Sequence, residues 1–132
     1  MKKMFKIVAL LITLIIIVVV GLFKYVADGM CKNEIYKEYL SPDKSLKAVV
    51  FQRDCGATTD FSTQVSILRS NENLDNENGN IFIIKGDPDK VAPVLKWTNQ
   101  NVLHIYYHLN GDEYKAKKHF GWFNSITIRY NN

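Results

Sequence analysis

The hydrophobic pattern of the chain changes once, from a continuous apolar run to short alternating segments. Residues 7–23 carry no charge, and apart from one Ala, one Thr and one Gly they are all Val, Ile, Leu or Phe. As a helix at about 1.5 Å per residue, this run is roughly 26 Å long, and Tyr25 and Val26 extend it if Lys24 snorkels to the headgroups. The pattern predicts a membrane anchor that contacts lipid through residues 7–26.

The charges that flank the run predict its orientation. Lys2, Lys3 and Lys6 precede it, whereas the lysine that follows is balanced by an aspartate. Positive charges stay preferentially on the cytoplasmic side of a membrane. We therefore expect residues 1–26 to form a cytoplasmic tip and transmembrane anchor, and residues 27–132 to form an extracytoplasmic domain.

Two cleaved forms compete with the uncleaved anchor. A basic N-terminus before an apolar core also begins a secretory signal, and residues 27–29 have the small-x-small pattern of a cleavage site. The apolar run is longer than the usual signal core of ~7 to 15 residues, which favours the anchor. A lipoprotein acylated at Cys31 is disfavoured, because Asp28, Gly29 and Met30 stand where such sites have small neutral residues.

Beyond the anchor, short alternating segments separated by turn residues are typical of half-buried strands. Residues 33–40 fit either a strand or a continuation of the helix, and residues 46–53 are apolar on both faces. No amphipathic helix pattern is found, so we expect a mainly-β domain, an antiparallel meander sheet or small sandwich of six to seven strands. The other predicted strands are residues 62–68, 81–85, 94–97, 102–109, 114–123 and 125–130.

Polar clusters predict the turns between these strands. The Ser-Pro-Asp sequence at residues 41–43 predicts a tight turn, because Pro fixes φ and Asp bonds its own backbone. The acidic, Asn-rich residues 70–79 do not fit a calcium-loop template. They predict a solvated hairpin loop with the Asn-Gly pair at 78–79 as its tight turn, and residues 86–89 predict another turn.

The net charge of +4 is concentrated at the N-terminus. Three of the 17 basic residues precede the anchor, which leaves 14 basic against 13 acidic residues in the rest of the chain. An outer domain so close to neutral has no electrostatic footprint for nucleic acid. We therefore expect no nucleic-acid partner.

The two cysteines, Cys31 and Cys55, both fall in the predicted outer domain, where disulfides persist. A bond between them closes a loop of about 25 residues, which stabilises a domain by roughly 3 to 4 kcal/mol. The alternatives are two free structural thiols, or Cys55 as a nucleophile with His104, His108 or His119 as its base. No histidine lies near Cys55 in sequence, which favours the disulfide.

Two of the histidines also raise a metal hypothesis, because they share one face of a predicted strand. At about 3.4 Å per residue, His104 and His108 stand roughly 13 Å apart, too far to share an ion. The sequence contains no nucleophile elbow, phosphate loop or cofactor fingerprint. We therefore predict no metal, no cofactor and no catalytic site.

Two segments carry candidate contacts with a partner. The first is a loop of small, polar and charged residues: Arg53, Asp54, Gly56, Thr58, Thr59, Asp60 and Phe61. The second mixes lysines with aromatic residues: Lys115, Lys117, Lys118, Phe120, Trp122 and Phe123. Such a mixture suits an anionic membrane surface or a protein partner, and the alternative is an edge strand whose lysines discourage unwanted pairing.

Three stretches carry a resemblance to a group of proteins. With Ser-Pro-Asp at 41–43, Ala-Val-Val-Phe at 48–51 and Arg-Asp-Cys-Gly-Ala-Thr-Thr at 53–59, the chain resembles small uncharacterised bacterial proteins with one N-terminal span and an outer β domain. The resemblance covers residues 31–70 well and the remainder loosely. It implies an extracytoplasmic domain and no particular activity. Lys44 stands where the resembling proteins have a glycine after Ser-Pro-Asp.

These observations predict a single-pass protein of the cytoplasmic membrane with an extracytoplasmic binding module. Its partner would be an envelope protein, a glycan or lipid, and protection of the cell envelope suits a small tethered domain. The alternative is a cell-envelope enzyme that uses Cys55 as a nucleophile. The absence of catalytic motifs favours the binding module.

Overall fold

The computed structural model describes residues 1–56, 58–123 and 125–131, together with their side chains except those of residues 27 and 28. The chain divides into two compact units, Met1–Cys31 and Lys32–Asn132. The first is a long apolar helix and the second is a mainly-β domain. This confirms the fold class that the hydrophobic pattern predicts.

The first unit consists of the helix α1 (Lys2–Met30). Its 29 residues include no proline, so the helical hydrogen-bond ladder is not interrupted from within. The stretch Lys2–Val26 has a mean hydropathy of 3.0, and none of it is buried by protein. By length and composition, α1 is a candidate membrane span, and it extends beyond the predicted anchor at both ends.

The second unit contains, among its described residues, nine strands and one short helix. In chain order they are β1 (Lys32–Leu40), β2 (Leu46–Asp54), β3 (Ser62–Arg69), β4 (Phe82–Lys85), α2 (Pro88–Val91), β5 (Val94–Asn99), β6 (Val102–Tyr106), β7 (Lys115–Ala116), β8 (His119–Phe120) and β9 (Ile126–Asn131). Residues 33–40 therefore form a strand and do not continue the helix. There are more strands than predicted. One reason is that the predicted strand 114–123 contains two short strands, β7 and β8, of two residues each.

The strands form two sheets. The first is antiparallel throughout, in the order β1-β2-β3-β4-β7. The second has the order β5-β6-β9-β8, and in it β6 pairs with β9 in parallel. A continuous antiparallel meander is therefore not formed, because the chain visits the first sheet at β7 before it returns beside β6.

The segment 114–123, predicted as one edge strand, divides between the two sheets. Lys117 donates its backbone N–H to the oxygen of Ile81 at 2.9 Å, next to the first sheet. The oxygen of Lys118 accepts the N–H of Ile128 at 2.8 Å, in the second sheet. The prediction of one strand is wrong because neighbouring peptide groups bond to different sheets.

Both sheets contribute side chains to one core. Its buried members are Ala48, Val50, Val65, Ile67, Ile81, Phe82, Ile84, Leu95, Leu103, Ile105, Ile126 and Ile128. The ring centroid of Phe82 lies 5.1 Å from that of Tyr107 and 5.7 Å from that of Tyr130. Burial raises the pKa of Tyr130, whose hydroxyl donates to the oxygen of Lys117 at 2.9 Å. Aromatic packing thus joins the first sheet to segments of the second.

The strand β2 is buried on both faces, as its apolar sequence predicts. Val49 and Phe51 alternate with the core residues Ala48 and Val50, so they lie on the opposite face of the sheet. All four side chains are nonetheless buried. The outer face of the first sheet must therefore have a cover of its own.

Residues 70–80 are held against this sheet by side chains of β1 and β2. Asn33 donates from Nδ2 to the backbone oxygens of Asp75 and Glu77, at 2.9 and 2.7 Å. Arg53 donates to Asn33 Oδ1 at 2.8 Å and to Asn76 Oδ1 at 3.2 Å. The connection joins antiparallel strands as predicted and most of its residues are exposed, and the side chains of β1 and β2 additionally hold it against the sheet. We call residues 70–80 the strap.

Gly79 does not form the tight turn that the Asn-Gly pair predicts. It is not among the described glycines with positive φ. A β-carbon at Gly79 would lie 2.9 Å from both Gln64 Cβ and the oxygen of Phe82, and its N–H donates to Gln64 Oε1 at 2.5 Å. The prediction is wrong because glycine serves here for close backbone approach, which depends on a residue fifteen positions away.

Two other predicted turns are present, each with a further detail. Lys44 donates its N–H to the oxygen of Ser41 at 2.9 Å and has a φ of 58°, the left-handed conformation that glycine adopts most easily. Residues 86–89 lead directly into α2. There Asp87 is the N-cap and accepts the N–H of Asp89 at 2.9 Å. The second turn is therefore also a helix start.

Candidate functional site

Cys31 and Cys55 are disulfide-bonded, as the sequence predicts. The register of β1 and β2 explains the pairing, because its first partners, Lys32 and Asp54, are the direct neighbours of the two cysteines. A disulfide sulfur carries no thiolate, which is the form that acts as a nucleophile. Cys55 therefore cannot act as a nucleophile while the disulfide is intact.

The three histidines lie on different elements. His104 is in β6, His108 follows that strand, and His119 is in β8. Asn131 Nδ2 lies 3.0 Å from His104 Nδ1. Among residues 1–56, 58–123 and 125–131, no group of three His, Cys, Asp or Glu side chains is placed to hold a metal ion.

The first half of the predicted interaction loop is used within the domain. Arg53 is buried, and its guanidinium bonds Asn33 and the strap. Asp54 Oδ1 accepts the N–H of Gly56 at 2.9 Å. The oxygen of Gly56 accepts both the N–H and the hydroxyl of Thr59 at 3.1 Å. These residues fix the loop from inside.

The second half of this loop is exposed, over residues 58–61, whereas Ala57 lies outside the described residues. The carboxylate of Asp60 lies 2.6 Å from Lys85 Nζ. This hydrogen bond and the charge of Asp60 raise the pKa of Lys85. Of the predicted loop, the two threonines and Phe61 have the surface to contact a partner.

The second predicted segment separates into structural and exposed residues. Lys115 is partly buried and donates from Nζ to the oxygen of Gly79 at 2.7 Å, and burial lowers its pKa. Phe120 packs against the core. Lys117 and Lys118 are exposed, and neither forms an ion pair with a carboxylate of a described residue. Only part of the predicted segment is therefore accessible.

Two adjacent aromatic side chains at the end of this segment stand almost entirely in solvent. Trp122 is 91% exposed and Phe123 is 93% exposed. They lie in the connection between β8 and β9, where Phe120 pairs with Ile126. Burying one large apolar side chain contributes roughly 1.5 to 3 kcal/mol of favourable free energy. Neither ring makes this contribution while it is exposed. We call Trp122 and Phe123 the aromatic tip.

Sequence reasoning missed an exposed edge of the first sheet. β1 is the outermost strand, and no other described strand pairs with its outer side. Ile35 and Tyr36 are 49% and 46% exposed. The register shifts between Ile35 and Lys37, so Tyr36 has no partner in β2 and forms a bulge. We call residues 34–37 the open edge.

Several residues in the remainder of β1 make polar contacts within the domain. Asn33 bonds the strap. The carboxylate of Glu38 lies 2.8 Å from Lys47 Nζ. At the end of the strand, Trp97 of β5 donates from Nε1 to the oxygen of Tyr39 at 2.9 Å. Lys32, Glu38 and Leu40 are exposed as well, so the open edge is the part of β1 where two adjacent apolar side chains are exposed together.

A cavity of about 170 Å³ lies beside the open edge. Three of its lining side chains carry carboxylates, Glu34, Asp87 and Asp89, and none of its described lining residues is basic. Asp87 is held in place as the N-cap of α2. The other walls are Ile35, Tyr36, Gln52 and Pro88. We call this the acidic cavity.

One sequence signal points to the open edge. The adjacent apolar residues Ile35 and Tyr36 interrupt the alternation of apolar and polar residues along the strand. Such an interruption is typical of a bulge, which inserts one extra residue. No local signal indicates the acidic cavity, because Asp87 and Asp89 lie some fifty positions further along the chain.

Comparison of the chain with family models, curated proteins and solved structures gives no match in any of the three. The resemblance to small single-span bacterial proteins therefore stays a prediction.

Proposed function

We propose that the protein is a membrane-tethered binding module. In this proposal α1 crosses a bilayer, and the β domain stands on the extracytoplasmic side and binds another envelope protein at the open edge. The observation that carries the binding role is the open edge itself, where Ile35 and Tyr36 are exposed on an edge strand beside the acidic cavity. The outer N–H and C=O groups of such an edge strand can pair with a strand of another chain.

Three features support the anchoring. The stretch Lys2–Val26 is strongly apolar and has no protein cover. The lysines that precede the apolar run favour a cytoplasmic N-terminus. The disulfide suits an oxidising compartment, since thiols of cytosolic proteins are kept reduced.

The chemistry of the open edge suits an extended, basic segment of the partner. An extended segment can add to the free edge of a sheet through main-chain hydrogen bonds, while neighbouring pockets select its side chains. Ile35 and Tyr36 offer apolar contact, and the acidic cavity offers carboxylates to a Lys or Arg side chain. A basic protein segment therefore fits this surface better than an uncharged glycan does.

The alternative of a cell-envelope enzyme has less support. It requires a thiolate at Cys55, and that sulfur is disulfide-bonded. A nucleophilic cysteine also needs a base within hydrogen-bond reach. The binding module requires neither.

Photo-crosslinking in intact cells tests the proposed binding surface. A benzophenone amino acid in place of Tyr36 is expected to capture a protein, with the attachment mapped to a segment that contains Lys or Arg. The same amino acid in place of Val94 is the control, because Val94 is also an exposed apolar residue on an edge strand, that of the second sheet. The control position is expected to give no such adduct.

Charge variants sharpen this experiment. Glu34→Gln combined with Asp89→Asn is expected to lower the adduct yield by about tenfold or more, since a charged hydrogen bond contributes about 1.5 to 3 kcal/mol. Asp75→Asn combined with Glu77→Gln removes the same charge from the strap and should leave the yield unchanged. An equal loss from both pairs, or a captured segment that is acidic, contradicts the proposal.

A further inference from the structure

The four strands of the second sheet carry basic residues and no acidic ones. β5, β6, β8 and β9 contain no Asp or Glu, so all 13 acidic residues of the chain lie elsewhere. The same strands contain Lys96, His104, His119 and Arg129. A domain that is close to neutral as a whole therefore has a local excess of positive charge on one of its two sheets.

Three of these residues are direct neighbours across the sheet. Lys96 of β5 is paired with His104 of β6, and His104 is paired with Arg129 of β9. Adjacent strands lie about 4.8 Å apart, so the three residues form a line of about 10 Å across the sheet. We call Lys96, His104 and Arg129 the basic row.

The basic row lies on the face of the second sheet that points away from the core. The residue before each member of the row is buried in the core, and side chains alternate between the two faces along a strand. Lys96 and Arg129 are exposed, and His104 is partly buried. No carboxylate in the described part of the chain forms an ion pair with Lys96 or Arg129. The row is therefore open to the carboxylates of a partner.

The side chains beside the basic row add to its chemistry. Asn131 Nδ2 lies 3.0 Å from His104 Nδ1. Because an amide nitrogen only donates, Nδ1 is the acceptor and Nε2 carries the proton of the neutral ring. Tyr106, two positions further along β6, is 41% exposed, and its ring centroid lies 6.4 Å from that of His104. The face thus offers N–H donors next to an aromatic ring, and Tyr and Arg are both enriched in protein interfaces.

We infer that the basic row is a second binding surface, which takes an acidic segment of a partner protein. The carboxylates of this segment accept hydrogen bonds from the row, and an apolar side chain beside them packs on Tyr106. This inference goes beyond the proposed function and does not depend on it, because neither α1 nor the open edge takes part.

Two other kinds of anion fit the basic row less well. A small anion is usually held in a concave pocket, whereas the row lies on the face of a sheet. The binding of a long polyanion grows with the number of charges that it neutralises, and only two side chains of the row are fully charged at neutral pH. A short acidic protein segment matches both the shape and the charge of this surface.

Photo-crosslinking in intact cells tests this surface. A benzophenone amino acid in place of Tyr106 keeps an aromatic ring beside the basic row. It is expected to capture a protein, with the attachment mapped to a segment that contains Asp or Glu. The same amino acid in place of Tyr114 is the control, because Tyr114 is 67% exposed and lies outside the second sheet. The control position is expected to give no adduct with an acidic segment.

Charge variants test whether the basic row holds this segment. Lys96→Glu with Arg129→Glu is expected to lower the adduct yield at position 106 by about tenfold or more, because like charges that face each other across an interface repel. Lys44→Glu with Lys90→Glu makes the same change of net charge at exposed positions outside the second sheet and should leave the yield unchanged. Arg129→Lys keeps the charge and should retain most of the adduct.

Several outcomes overturn the inference. These are no adduct at position 106, a captured segment without acidic residues, an equal loss from both pairs of charge reversals, and an adduct that nuclease or glycosidase removes but protease does not. The proposed function is judged separately, by the adduct at position 36. If that adduct is absent while position 106 captures an acidic segment, the role of the open edge fails and the basic row stands. The reverse result removes the basic row alone.

Discussion

The two units of the chain place the same apolar residue types in opposite surroundings. Ile15 in α1 is exposed along with its apolar neighbours, whereas Ile105 in β6 is completely buried. The domain supplies its own apolar environment, because two sheets cover each other's side chains. The helix has no such cover within the described residues, which suits its role as a candidate membrane span. In the proposed function, folding stability therefore resides in the domain and membrane affinity in the helix.

Polar groups show the same contrast. Within α1 the helix satisfies its own backbone, and between residues 7 and 23 there is no charged side chain to accommodate. In the domain, the buried guanidinium of Arg53 bonds Asn33 and the strap. The domain therefore holds a buried charged group through polar contacts, whereas the apolar run of α1 has no charged group to hold.

The largest expected effect comes from opening the core. Phe82→Ala removes a fully buried ring that contacts Tyr107 and Tyr130, and it is expected to lower the free energy of unfolding by about 3 to 5 kcal/mol. Ile15→Ala in α1 should leave it unchanged. Urea unfolding of the full chain in detergent, followed by tryptophan fluorescence, reports on the domain alone, because both tryptophans lie there. Equal losses from both variants contradict the division of roles.

The second effect concerns the disulfide. Cys31→Ser combined with Cys55→Ser is expected to destabilise the domain by roughly 3 to 4 kcal/mol, since it releases a closed loop of about 25 residues. The same unfolding experiment with and without reductant should give the same loss for the unmodified chain. Membrane flotation should be unaffected by the double substitution. A reductant effect on the double variant would show that something other than this bond is being measured.

The smallest effect is a dependence on acid pH at the turn before β2. A hydrogen bond from the Ser41 hydroxyl, and then those from Ser45, hold the pKa of Asp43 below its ordinary value of 3.8. The charged carboxylate therefore contributes stability above pH 3.8, and this contribution is lost as the pH falls through the lowered pKa. Asp43→Asn is expected to reduce the pH dependence of unfolding below about pH 4. Asp75→Asn, without these turn contacts, should retain it.

Much of the first sheet could be predicted from local patterns. The predicted strands 46–53 and 62–68 correspond to β2 and β3 with one residue added at the end of each. Alternation fails at the end of β6, which stops at Tyr106 although the pattern continues to residue 109. The reason is its antiparallel neighbour, because β5 begins at Val94, which lies opposite Tyr106.

The sequence by itself determined the features that depend on local pattern, which are the apolar helix and the β character of the rest, and it favoured the pairing of the two cysteines over free thiols. Only the tertiary structure decided which contacts form between distant segments. It divided residues 114–123 between two sheets, buried Arg53, and brought Glu34 and Asp89 to one cavity. Hydrophobic periodicity reports the surroundings of a residue along its own strand, whereas sheet order and surface cavities depend on packing between residues far apart in sequence.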